Sequence, residues 1–156
     1  MRIAILKMGA KSPGGLEKYT NRIAAEFIKR GDDVAIPAFP ICRWPGFLRL
    51  VQYDRSVGRW LKKNPVDVVL GMERNRFQTH IRAGNGVHAA YLKNRIASDG
   101  LFKYCICQIN PLHRKILELE KAGFESPLLR KIFVNSRMVE QDLLHHYHVD
   151  PAKIKV

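Results

Sequence analysis

Two spacings of apolar residues take turns along this chain. Short apolar runs at Arg2–Met8, Asp33–Pro37, Pro65–Gly71 and Lys131–Ser136 each predict a strand. Between them, apolar positions recur every three or four residues. Leu16, Tyr19, Ile23, Phe27 and Ile28 form one such stripe, which predicts a helix over Gly15–Arg30 with Gly31 as its stop. A second helical pattern, rich in aromatic and basic residues, lies between Pro45 and Asn64. Gln78–Arg82 reads as a further strand and Gly86–Ala97 as a helix. The next helix is well marked: Asn110 caps, Pro111 suits the first turn and Gly123 stops it. Arg137–Val149 reads as the last helix, and AKIKV, from Ala152 to Val156, as a closing strand.

Strands separated by helices through short connections predict a parallel sheet with helices on both faces, a Rossmann-like α/β fold. In such sheets ligands sit outside the carboxyl ends of the strands, often at helix N-termini, where free N–H groups favour anions. The stretch SPGGLEKY places Gly14 and Gly15 at such a point. Its spacing is neither the dinucleotide fingerprint nor a Walker loop. Two readings stand: the glycines admit a phosphate-bearing ligand to bare backbone, or a tight strand-to-helix turn needs their dihedral freedom.

A length of 156 residues suits one domain with a real core. The apolar fraction of 46% is that of a globular protein, and no segment reaches the run of roughly 18 apolar residues that a membrane span needs. Nothing at the start resembles a signal peptide. Cys42, Cys105 and Cys107 are odd in number and fit reduced, buried thiols in a cytoplasmic protein. Charge changes the picture more: 27 Lys and Arg against 14 Asp and Glu give a formal +13, a field that draws polyanions, anionic lipid or phosphorylated sugars.

MRIAIL followed by GGLEKYTNRIAAEFIKRGDDVAI, then VDVVLGMERN and FVNSRMVEQDLLHHYHVDPAKIKV, in that order, resembles the N-terminal, acceptor-binding half of the retaining glycosyltransferases of family 4, two-domain GT-B enzymes. The likeness is nearest to lipopolysaccharide core glucosyltransferases and spans nearly the whole chain. Asp32 stands where that family more often has His. The resemblance implies a nucleotide-sugar donor held chiefly by a C-terminal domain that these residues do not include. It also implies a sugar or glycolipid acceptor, no other cofactor, and little or no transfer by this half alone.

The resemblance also implies roles for residues. Gly14 and Gly15 fall on the family's glycine loop, which packs against the donor, and Glu17 follows where an acidic residue is common; a favourable charge in the first helical turn explains Glu17 equally. Glu73, Arg74 and Asn75, after the third strand, would face the cleft, where a guanidinium pairs with phosphate on acceptor or donor; Arg74 and Arg76 also read as solvated loop charges. Asn85 and His88 are the candidate catalytic residues, set where the family presents a polar group to the transferred sugar. A satisfied structural histidine is the competing reading of His88. In the front-face scheme of such enzymes the leaving phosphate assists the acceptor hydroxyl, and the protein supplies positioning and charge stabilisation.

The stretch RWPGFLRLVQYDRSVGRWLKK sets Arg49, Arg55, Arg59, Lys62 and Lys63 among Trp44, Phe47, Tyr53 and Trp60. Rings beside cations suit contact with an anionic membrane, which predicts peripheral association at its inner face; an ordinary surface helix packing Leu48, Val51 and Val57 is the alternative. Cys105 and Cys107 lack a second ligand pair, and His145, His146 and His148 do not share one helical face, so no metal site is expected. The competing class is a basic phosphate-ligand or nucleic-acid module; the absence of a helix-turn-helix pair, RNP motif or zinc finger argues against nucleic acid.

Overall fold

The computed structural model describes residues 1–9, 14–39, 45–99 and 109–156, with 96–99 as backbone only. Trp44 and the three cysteines, Cys42, Cys105 and Cys107, lie outside the described residues. Six strands form one wholly parallel sheet: β1 (Arg2–Leu6), β2 (Asp33–Ala35), β3 (Val68–Gly71), β4 (His80–Arg82), β5 (Lys131–Phe133) and β6 (Ile154–Lys155), in the order β2-β1-β3-β4-β5-β6. The described helices are α1 (Gly15–Lys29), α2 (Gly46–Lys63), α3 (His88–Asp99), α4 (Pro111–Phe124) and α5 (Arg137–His146). The Rossmann-like α/β layout expected from the alternation is present.

The strands are shorter than the apolar runs. Lys7 and Met8 leave the sheet, and Met8 N–H turns to the carboxylate of Glu73. Asp67 spends its side chain on the backbone N–H of Arg2 at 2.7 Å, so β3 begins only at Val68. Asp150 caps a 3-10 turn over Pro151–Lys153 by accepting from Ala152 N–H at 2.9 Å, which delays β6 to Ile154.

Core packing follows the pleat. Ile3, Ile5, Leu70 and Met72 face α1, joined by Ala24, Ile23 and Phe27. Ala4, Leu6 and Val69 point the other way, onto Tyr53 and Val57 of α2. Ile81, Ile132 and Ile154 continue that second face across the sheet beneath Val139 and Leu143 of α5.

Two helix ends differ from expectation. Gly123 does not stop α4, which runs on to Phe124. A Cβ at Gly123 would lie 2.9 Å from the carbonyl oxygen of Asn75 and from Nε2 of Gln78, so glycine is there because α4 packs directly on the loop after β3. Helix α5 ends at His146, and Tyr147 leaves it to become a buried core residue.

Candidate functional site

The carboxyl ends of β1, β3 and β4 meet in one cleft, closed from the side by α2 and α4. A cavity of about 270 Å³ opens there, lined by Met8 after β1, Glu73 and Arg74 after β3, Asn85 after β4, Arg49, Leu50 and Tyr53 of α2, and Leu112 and Ile116 of α4. A smaller hollow of about 30 Å³ adjoins it and shares Glu73, Arg74 and Asn85.

The polar groups of this cleft come from different elements, and several are under strain of solvation. Tyr53 is 2% exposed, and its hydroxyl is buried with no hydrogen-bond partner among the described residues. Burial pushes its phenol well above the usual range, with Glu73 and Asp54 adding to the effect. Burial likewise raises the carboxyl of Glu73, against the opposing pull of the Met8 N–H, Arg74 and Lys7. A buried phenolic hydroxyl beside a carboxylate and two guanidiniums is a set of groups that a hydroxylated, anionic ligand satisfies.

Glu120 organises the floor. Its side chain is wholly buried and accepts from Arg74 Nε at 2.7 Å, from Tyr147 hydroxyl at 2.7 Å, and from the backbone N–H of His88 through both oxygens at 2.8 and 3.0 Å. The carboxylate thus holds the start of α3, where free N–H groups favour negative charge, and fixes the direction of Arg74.

The residues singled out from the sequence divide accordingly. Glu73, Arg74 and Asn85 come together on the cleft. Asn75 does not: it is fully buried, its amide donating to Gln78 Oε1 at 3.0 Å and to the carbonyl of Glu73 at 3.2 Å while Phe77 N–H donates to its oxygen at 3.0 Å. It shapes the loop after β3 and is not presented to a substrate. The imidazole of His88 lines neither cavity; its Nε2 shares a hydrogen bond with Nδ1 of His113 at 2.9 Å, and it stacks on Tyr91. Burial, assisted by Arg74 and His113, lowers its pKa to about 4 against the pull of Glu120, so the ring is neutral at pH 7. Arg76 is occupied by Asp54 at 2.8 Å and Glu118 at 3.2 Å.

At the glycine loop, Gly14 is extended, with φ −151° and ψ 174°, and Gly15 is helical, so neither needs a left-handed backbone; Gly9, with φ 88°, does. A Cβ on Gly15 would meet nothing within 4 Å among the described residues. Neither glycine of the pair is held in a left-handed backbone, and beside Gly15 the described residues leave open space. Glu17 pairs with the buried Lys7 at 3.2 Å, tying α1 to the end of β1.

The expected membrane-contact surface splits in two. Tyr53 is buried and Trp60 packs half-buried on the core beside Leu61 and Val66, because residues 53, 57 and 60 share the inner face of α2. Arg55, Arg59, Lys62 and Lys63 stay exposed on its outer side, while Arg49, one turn before Tyr53, is exposed at the cleft. Among the described residues no helix is long and apolar enough to cross a membrane.

No family model matches the sequence, and no curated protein matches it. Solved structures do share its architecture. WaaG, described as a glycosyltransferase involved in lipopolysaccharide biosynthesis, superposes with a TM-score of 0.80 over 98% of this chain, at 19% identity. The fold is that of one half of WaaG. The chain spans 44% of the length of that protein, and the shared part is the parallel, Rossmann-like α/β fold.

Proposed function

We propose that these residues form the acceptor-binding half of a retaining sugar transferase, which carries a sugar from a nucleotide-sugar donor to a lipid-linked or lipopolysaccharide-type acceptor. The observation that carries this reading is the cleft at the carboxyl ends of β1, β3 and β4, where Tyr53, Glu73, Arg74, Arg49 and Asn85 line one cavity of about 270 Å³. Its fold likeness to WaaG and the motif order in the sequence support the assignment.

In this reading the half supplies position and charge. Arg74, oriented by Glu120, and Arg49 meet a phosphate on the acceptor. The Tyr53 hydroxyl and Asn85 take up its sugar hydroxyls, and Glu73 orients the one that reacts. Open backbone at Gly14 and Gly15 admits the donor, whose remaining contacts belong to a second domain, so these residues alone transfer no sugar. Exposed cations of α2 hold the enzyme at an anionic membrane on the cytoplasmic side, where a lipid-linked acceptor resides.

Calorimetric titration tests the reading, using a phosphorylated lipopolysaccharide-core oligosaccharide freed of lipid, its dephosphorylated form and a short single-stranded oligonucleotide. Saturable binding of the phosphorylated saccharide is expected, about tenfold weaker for Arg74→Ala, which corresponds to ~1.4 kcal/mol. Equal displacement by the oligonucleotide, with the same salt dependence, would overturn it in favour of a general polyanion binder.

A further inference from the structure

The elements around the cleft cavity bring different chemistry to it. Leu50 of α2 and Leu112 and Ile116 of α4 are aliphatic, and Met8 and the ring of Tyr53 join them. The loops after β3 and β4 bring the polar groups Glu73, Arg74 and Asn85. Leu112 and Ile116 are one turn apart and share a face of α4. Leu50, Leu112 and Ile116 are half-buried, and none of them belongs to the hydrophobic cores packed on the sheet. Their apolar surface is offered to the cavity and not used by the core.

The cations beside this apolar wall have donors to spare. Arg49 is exposed and has no carboxylate partner among the described residues. Arg74 commits Nε to Glu120 at 2.7 Å, and its terminal nitrogens make no other hydrogen bond among the described residues. Glu73, the carboxylate on the cavity, accepts from Met8 N–H and is flanked by Lys7 and Arg74. A wholly hydroxylated ligand would set polar groups against three aliphatic side chains, at a cost in solvation. A bare phosphate would leave those side chains in water. Only a ligand that is anionic at one end and apolar next to it satisfies both.

We propose that the cavity takes a phosphate ester of an alkyl or isoprenoid chain, its phosphate on Arg49 and Arg74 and the first carbons of its chain between Leu50, Leu112 and Ile116. The inference rests on the acceptor reading of this cleft and narrows it to acceptors joined to a lipid through phosphate. The slot between α2 and α4 is short. A Cβ on Gly46, at the start of α2, would lie 3.2 Å from Cδ1 of Leu112, so the two helices close on each other there. Within a cavity of about 270 Å³, the carbons next to the phosphate are held and the rest of the chain stays outside.

The probes are alkyl phosphates from methyl to octyl, each below its micelle concentration, followed by the methyl NMR signals of Leu50, Leu112 and Ile116. Affinity should rise up to about fourfold with each added CH2 over the first few carbons and then level off. Leu112→Ser and Ile116→Ser, outside the sheet's cores, should flatten that rise. Arg49→Ala and Arg74→Ala should instead weaken every member of the series by a similar factor and keep its slope. Leu144→Ser, at an exposed position of α5, should change neither. Farnesyl phosphate and lysophosphatidate then distinguish the source: tighter binding of either supports the site and assigns it to an isoprenoid or a glycerolipid carrier. A rise that survives both serine variants would put the chains elsewhere and overturn the proposal. No rise at all, with the phosphorylated core oligosaccharide still bound at the cleft, would overturn it and leave the acceptor reading standing. Failure of the oligosaccharide and of every alkyl phosphate would overturn both.

Discussion

Replacing Glu120 by alanine removes a carboxylate that three elements share. Two of its donors, the Tyr147 hydroxyl and the His88 N–H, would be left unsatisfied in or near the core, at about 1–3 kcal/mol each. Arg74 is 26% exposed, so water takes over much of its guanidinium and adds little. Removing the carboxylate also ends its own burial cost, which offsets part of the loss. A net destabilisation of about 3 kcal/mol follows, or a fall of ~6–12 °C in Tm for a chain of this size. Urea denaturation with an unchanged m-value measures it. Glu120→Gln should lose nearly as much, because an amide presents a donor where the surrounding groups all donate. A loss below about 1 kcal/mol for Glu120→Ala, with the same m-value, would refute the idea that one carboxylate ties α3, α4 and the loop after β3 together.

Other expectations follow from single contacts. Tyr53→Phe deletes a buried hydroxyl without a partner among the described residues, so stability should stay level or rise by up to about 1 kcal/mol, while saccharide affinity falls; a clear loss of stability would mean the hydroxyl is satisfied within the fold. Gly123→Ala should destabilise by about 1–3 kcal/mol in thermal melts, since the crowding against Asn75 outweighs the gain of ~1 kcal/mol in helix propensity. His88 has a folded pKa of about 4 against 6.5 unfolded. Between those values the unfolded chain binds the proton and the folded chain does not, so its effect on stability is absent above about pH 6.5 and grows unfavourable as pH falls toward 4. The imidazole should remain neutral at pH 5.5 by NMR titration, and a midpoint at or above 6.5 would contradict its burial beside Arg74 and His113.

The fold was legible because local patterns agreed with one another. Apolar runs, the stripe from Leu16 to Ile28, the Asn110–Pro111 cap and the stop at Gly31 are all short-range signals, and the structure honours each. The errors arose where tertiary contact overrode local chemistry. Gly123 looks like a helix stop in one dimension, yet it is where a helix lies against the backbone of Asn75. Asn75 looks like a loop polar residue, yet its amide folds the loop around itself. The resemblance pointed to Glu73, Arg74 and Asn85, and the structure sets all three on one cavity at the strand ends. Tyr53 was visible only as one aromatic among several; its i, i+4, i+7 spacing with Val57 and Trp60 marked the inner face of α2 but not the missing partner of its hydroxyl. Glu120 read as one charge on an apolar helix, because its three partners lie 27 to 46 residues away.

The most direct test of the acceptor-half reading is the footprint of the phosphorylated core oligosaccharide on backbone amide shifts of the protein. The largest saturable changes should fall on Met8, Tyr53, Glu73, Arg74 and Asn85. Changes confined to the outer face of α2, or scattered over the basic surface without saturation, would show that the cleft binds no acceptor and would contradict the account.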